Sequence, residues 1–128
     1  MHTQRTWLAA LTLLTLTAFP CFAQSNIVPG QEYAWGENLG WTNWLDANGT
    51  DDGVVVGGAF LSGYVWCENV GWLNLGDGTP GGGTAYLNVD GADFGVNRTG
   101  DDLDGFAWGE NIGWVNFANA GFDSGTGR

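Results

Sequence analysis

After residue 24 the apolar positions never recur at helical spacing. They fall in short runs rich in Val, Trp, Tyr and Phe, cut every few residues by one of the chain's 23 glycines. Short alternating runs bounded by turn residues predict an all-β chain with tight connections. The clearest run, residues 33–44, reads Y-A-W-G-E-N-L-G-W-T-N-W. It occurs twice more, as Y-V-W-C-E-N-V-G-W-L-N-L at 64–75 and F-A-W-G-E-N-I-G-W-V-N-F at 106–117. Because side chains alternate along a strand, Trp41 and Asn43 share one face while Thr42 and Trp44 share the other. The other copies place Leu73 with Leu75, and Val115 with Phe117, at the Thr42 and Trp44 positions, which predicts that face as the core. Gly36-Glu37-Asn38 breaks the alternation with residues that suit a turn. Each copy is therefore expected to be a β-hairpin with aromatic side chains on both arms.

Three copies of one hairpin imply a repeat architecture. The expected fold is all-β and antiparallel, with eight to ten short strands arranged as a linear β array or a sandwich. A closed pseudo-threefold barrel or prism is the alternative. The lead-in Leu61-Ser62-Gly63 before the second copy matches Leu103-Asp104-Gly105 before the third, whereas the first copy has Gln31-Glu32 there. Two complete units flanked by half-units that act as caps fit this pattern. The copies begin at 33, 64 and 106, so they are 31 and then 42 residues apart, and the second interval holds 11 extra residues. Matching Val54–Phe60 to Leu87–Phe94 concentrates those extra residues near Asp93 to Asp102, where an insertion predicts a loop free to carry function.

The N-terminus changes the setting. Arg5 precedes an apolar stretch from Trp7 to Phe19, Pro20 ends it, and Ala23 supplies a small residue for cleavage. This predicts a signal peptide over 1–23 and a single exported β-repeat domain over 24–128, secreted, periplasmic or on the cell surface. The stretch is too short for a permanent anchor, so no transmembrane segment is expected in the mature chain. All 14 acidic residues follow residue 23, against Arg98 and Arg128 as the only bases there, and lysine is absent. Such a surface repels phosphate backbones, which argues against a nucleic acid partner. Cys67 is the single cysteine after the leader. It stands where the other copies have Gly36 and Gly109, a position that predicts burial.

The triplicated string A-W-x-E-N-x-G-W-x-N-F, preceded by L-x-G-Y, resembles a repeat of secreted, mostly uncharacterised bacterial proteins. The resemblance spans Tyr33 to Phe117 and implies an exported β module, with no activity, cofactor or catalytic residue attached to it.

Candidate chemistry adds little that is enzymatic. His2 leaves with the leader, no lysine exists, and Ser62 and Ser124 have no base beside them in sequence. The usual nucleophile and base pairs are thus missing, and no catalytic residue is expected. Glu37, Glu68 and Glu110, with Asn38, Asn69 and Asn111, are read as locks on their own turns, through hydrogen bonds to turn amides or indole N–H groups. Trp41, Trp72 and Trp114, each beside Asn43, Asn74 or Asn116, form a candidate glycan-binding face of rings and amides. Asp-rich loops, above all Asp101, Asp102 and Asp104, could hold calcium, an oxygen-seeking ion that exported modules often bind; no other cofactor is expected. The function expected from these observations is a non-enzymatic structural or adhesive module meeting a glycan or an extracellular protein. Glycan binding and calcium-stabilised adhesion are the more specific alternatives.

Overall fold

The computed structural model describes residues 24–47 and 53–118. The expected leader lies outside these residues, as do residues 48–52 of the Asp-rich stretch Asp46 to Asp52 and the chain after Ala118. Among the described residues eight strands form, all antiparallel: β1 (Tyr33–Gly36), β2 (Gly40–Asn43), β3 (Val54–Val56), β4 (Leu61–Cys67), β5 (Gly71–Asn74), β6 (Val96–Thr99), β7 (Asp102–Gly109) and β8 (Gly113–Asn116). The three motif copies are the hairpins β1–β2, β4–β5 and β7–β8. They lie side by side in one curled, open sheet. The linear array is the arrangement formed. The closed threefold alternative is not, because among the described residues β1 pairs only with β2 and β8 only with β7. Closure would need these two ends to share a ladder.

Registers repeat between copies. Trp35 faces Trp41, Trp66 faces Trp72, and Trp108 faces Trp114. Between copies, Thr42 faces Cys67 and Leu73 faces Gly109. The strands leading into the second and third copies are longer, because their N-terminal halves pair again with β3 and β6. They do so at Gly63 and Gly105, whose φ angles are 93° and 91°. A Cβ at either position would collide with the carbonyl oxygen of Gly53 or Gly95. The L-x-G lead-in is therefore the device that lets one strand serve two partners. The first copy, with Gln31-Glu32, has only the four-residue β1.

The inner face is the core: Val54, Leu61, Val65, Cys67, Leu73, Leu75, Val96 and Ala107 are buried together, with Trp44, Val115 and Phe117 packed against them. This is the face the alternation marks as apolar. Cys67 is fully buried and unpaired, and burial pushes its thiol above the ordinary value of 9.0. In the unfolded chain the thiol ionises near that ordinary value, whereas the folded state holds it protonated. Its contribution to stability is thus complete below pH 9.0 and is lost as pH rises further. Urea midpoints are expected to fall above that pH in the native chain and to fall less in Cys67→Ala. A thiol reagent should label Cys67 only after unfolding.

The sequence match of β3 with residues 87–89 is corrected by the registers. Val54 faces Gly63 and Val96 faces Gly105, so Val96 is the true counterpart of Val54. Each valine amide also donates to the last residue of the preceding copy, Val54 to Trp44 at 2.7 Å and Val96 to Leu75 at 2.9 Å. Val54 lies ten positions before Tyr64, and Val96 ten before Phe106. All the extra residues therefore fall between Leu75 and Val96, and most of the stretch expected to be the insertion is strand β6 and its turn. Leu87-Asn88-Val89 resembles a strand in composition, but its edge is spent on loop contacts.

Candidate functional site

The outer face of the sheet carries the aromatic residues. Tyr33, Trp35, Trp41, Tyr64, Trp66, Trp108 and Trp114 are exposed, and Trp72 and Phe106 are half-buried. The strand pairing sets the tryptophans opposite one another across each hairpin. Their ring centroids are 5.4, 5.0 and 4.9 Å apart for Trp35–Trp41, Trp66–Trp72 and Trp108–Trp114, at 65°, 68° and 72°. Edge-to-face packing of this kind contributes about 0.5–1.5 kcal/mol per pair beyond area burial. Trp41 and Trp114 remain 55% and 51% exposed, so their rings are accessible, and within each hairpin pair the two rings meet edge to face rather than lying coplanar. Tyr64 and Phe106 add further edge contacts, to Trp72 and Trp114 respectively, both at 6.3 Å.

The asparagines of the expected glycan face do other work. Asn43 Oδ1 accepts from the Leu45 amide at 3.1 Å, Asn74 Oδ1 from Gly76 at 2.9 Å, and Asn116 Oδ1 from Ala118 at 2.7 Å. Each carbonyl turns the chain just past its strand, as Asn side chains commonly do. Asn43 Nδ2 also donates to Asp46 Oδ1 at 2.6 Å. The tryptophans and asparagines are brought together along the strands, but the amide oxygens are committed to the backbone.

The Glu-Asn turns of the second and third copies hold the preceding copy rather than their own hairpin, which corrects the expectation. Glu68 Oε2 accepts from the Trp41 amide at 3.2 Å, and Glu110 Oε1 from the Trp72 amide at 3.4 Å. Asn69 Nδ2 donates to the Asn38 carbonyl at 3.3 Å, and Asn111 Nδ2 to the Val70 carbonyl at 3.2 Å. Backbone bonds from Glu68 to Trp41, Asn69 to Leu39 and Glu110 to Trp72 complete each joint. The left-handed φ that the turn needs belongs to Gly40, Gly71 and Gly113, not to the asparagines. A Cβ on Gly71 would sit 2.5 Å from Glu110 Oε1, and one on Gly40 would sit 3.0 Å from Glu68 Oε2. The E-N-x-G-W spacing is thus a plug and socket, with the glutamate of one copy seated over the glycine and Trp amide of the copy before it.

The segment that contains the insertion, residues 76–95, is tied down tightly. Tyr86 is buried, its hydroxyl accepts from the Gly78 amide at 2.8 Å, and its ring packs edge-to-face on Phe60 at 5.3 Å. Burial is the main influence raising its phenol above the ordinary value of 10.0. Asp93 gathers the amides of Gly81 and Leu87, both at 2.8 Å, and Asn88 Oδ1 accepts from Gly95 at 3.0 Å. This fastening holds the loop tip against the third hairpin, where Phe94 packs on Trp114 at 5.1 Å and 80°. Between the tip and the aromatic face lies an open groove of about 330 Å³, lined by Asn88, Val89, Asp90, Gly91, Phe94, Phe106 and Trp114. Of these, Trp114 is an expected site residue and Phe94 lies in the stretch Asp93 to Asp102 expected to carry function. Matching Val96 to Val54 would have placed all the others except Phe106, which opens the third copy, in the lengthened segment.

Asp101 stands in the β6–β7 turn, while Asp102 and Asp104 face Thr99 and Asn97 across the ladder. Among the described residues no three Asp, Glu, His or Cys side chains gather closely enough to hold a metal ion. No protein-family model matches the chain, and no curated protein or solved structure matches it.

Proposed function

We propose that the protein is a non-enzymatic exported module that acts by contact outside the cytoplasm, with the hairpin array as scaffold and the outer aromatic face as working surface. The observation that carries this reading is the gathering of nine aromatic side chains on one face of a sheet whose other face already forms the core. An exposed apolar patch of that extent marks an interaction surface on a soluble protein. The apolar N-terminal stretch supports export, and the absence of His and Lys after the leader supports a non-enzymatic role. The carboxylates of Glu68 and Glu110 serve backbone amides, which further supports structure over catalysis.

The test uses immobilised protein exposed to cell-envelope fractions and to extracellular proteins. The native chain is expected to retain a partner that the triple variant Trp35→Thr, Trp66→Thr, Trp108→Thr releases, with far-ultraviolet circular dichroism unchanged. Equal retention by both chains would sink the aromatic-face reading.

Glycan binding is the second reading, favoured at one place. The groove beside Trp114 pairs an accessible ring with the polar Asn88 and Asp90. A glycan array is expected to show a hit lost in Trp114→Ala, whereas silence at millimolar sugar leaves the protein-contact reading alone.

A further inference from the structure

The internal joints recur, but the described array presents one unused half at each end. Glu37 and Asn38, on the β1 side, meet no preceding hairpin among the described residues, and neither side chain makes a hydrogen bond to another described residue through its carboxylate or amide group. On the β8 side, the Trp114 amide receives no carboxylate among the described residues. A Cβ built on Gly113 meets nothing nearer than a Trp108 ring carbon at 4.0 Å, whereas those on Gly40 and Gly71 run into Glu68 and Glu110. The plug without a socket and the socket without a plug belong to the same chain.

We propose that copies of this chain join head to tail, β8 of one copy pairing antiparallel with β1 of the next through the joint already used twice inside the chain. The internal registers dictate the new one. Thr42 faces Cys67 and Asn43 faces Trp66, and Leu73 faces Gly109 and Asn74 faces Trp108; the equivalent pairing sets Val115 against Gly36 and Asn116 against Trp35. The Glu37 carboxylate then accepts from the Trp114 amide, the Glu37 amide donates to the Trp114 carbonyl, and the Asn38 amide donates to the Ile112 carbonyl. Continuity with the internal joint identifies the occupant as a second copy, because the matching parts are those of this motif. Among the described residues both edges are unpaired rows of donors and acceptors, the feature that invites strand addition. Joined surfaces that differ do not close on themselves at two copies, so growth continues beyond a dimer. A formal net charge of −11 opposes association, and salt screens that repulsion.

The experiment is sedimentation of the chain expressed with its own leader, over a range of concentration and salt, with amide hydrogen exchange on the same samples. Native protein is expected to form species larger than a dimer as concentration and salt rise, with Trp114 exchange slowing in step. Trp41 and Trp72 amides should be protected at every concentration. Glu37→Gln is expected to weaken association about tenfold, and Glu37→Lys to weaken it further, with melting temperatures of the dilute monomer unchanged. A monomer at every concentration and salt overturns the proposal. So does an assembly that stops at two copies, or one that forms equally well in both Glu37 variants.

Discussion

Gly71→Ala is expected to destabilise the folded chain by about 3 kcal/mol, far more than a surface turn substitution ordinarily does. Two costs add. The φ of 79° at Gly71 places an alanine in the left-handed region, at about 1–2 kcal/mol. Its methyl carbon would also fall 2.5 Å from Glu110 Oε1. The carboxylate is then forced off the Trp72 amide, and a hydrogen bond to a charged group contributes about 1.5–3 kcal/mol. The same substitution elsewhere separates these terms. Gly40→Ala meets Glu68 at 3.0 Å and should cost somewhat less. Gly113→Ala, with φ 77° and no carboxylate nearby among the described residues, should carry the backbone cost alone, about 1–2 kcal/mol. Urea titrations of the three variants check the order 71, 40, 113. Equal losses at all three would show that the glutamate joints add nothing to stability.

Leu75→Ala is expected to cost about 2–5 kcal/mol, the range for a buried leucine truncated in a core that relaxes only partly. Leu75 is the largest fully buried side chain. Its backbone is also a junction, since its amide donates to Gly63 at 2.9 Å and its carbonyl accepts from Val96 at 2.9 Å. The copy-two hairpin, the long strand β4 and strand β6 all meet at this residue. In a domain this small, where total stability is commonly about 5–15 kcal/mol, such a loss is a large fraction of the whole. A thermal melt checks it, and a shift no greater than that of an exposed substitution such as Trp35→Ala would contradict the assigned core.

These two predictions rest on different kinds of legibility. Leu75 as a core residue follows from alternation, because the period of a strand is a property of its own backbone and needs no partner to be read. The hairpins, the buried side of each, the burial of Cys67 and the outward placement of Trp41, Trp72 and Trp114 were legible for the same reason. The role of Glu68 and Glu110 was not. The amides that donate to them lie 27 and 38 residues back along the chain, and composition near a turn says nothing about which distant amide faces it. The same distance effect hid the insertion. Leu87-Asn88-Val89 has strand-like side chains, but Tyr86 and Asp93 fasten that segment as a loop, while Val96 takes the place beside Gly105.

By itself, then, the sequence determined a triplicated hairpin, its two faces and an acidic surface, since these depend on local alternation, repetition and charge. The tertiary structure decided that the array stays open and that glutamates join neighbouring copies. It also decided that the inserted loop builds a groove against Trp114. Each of those depends on which groups, far apart along the chain, are brought within hydrogen-bonding or van der Waals reach, and only the folded registers set that.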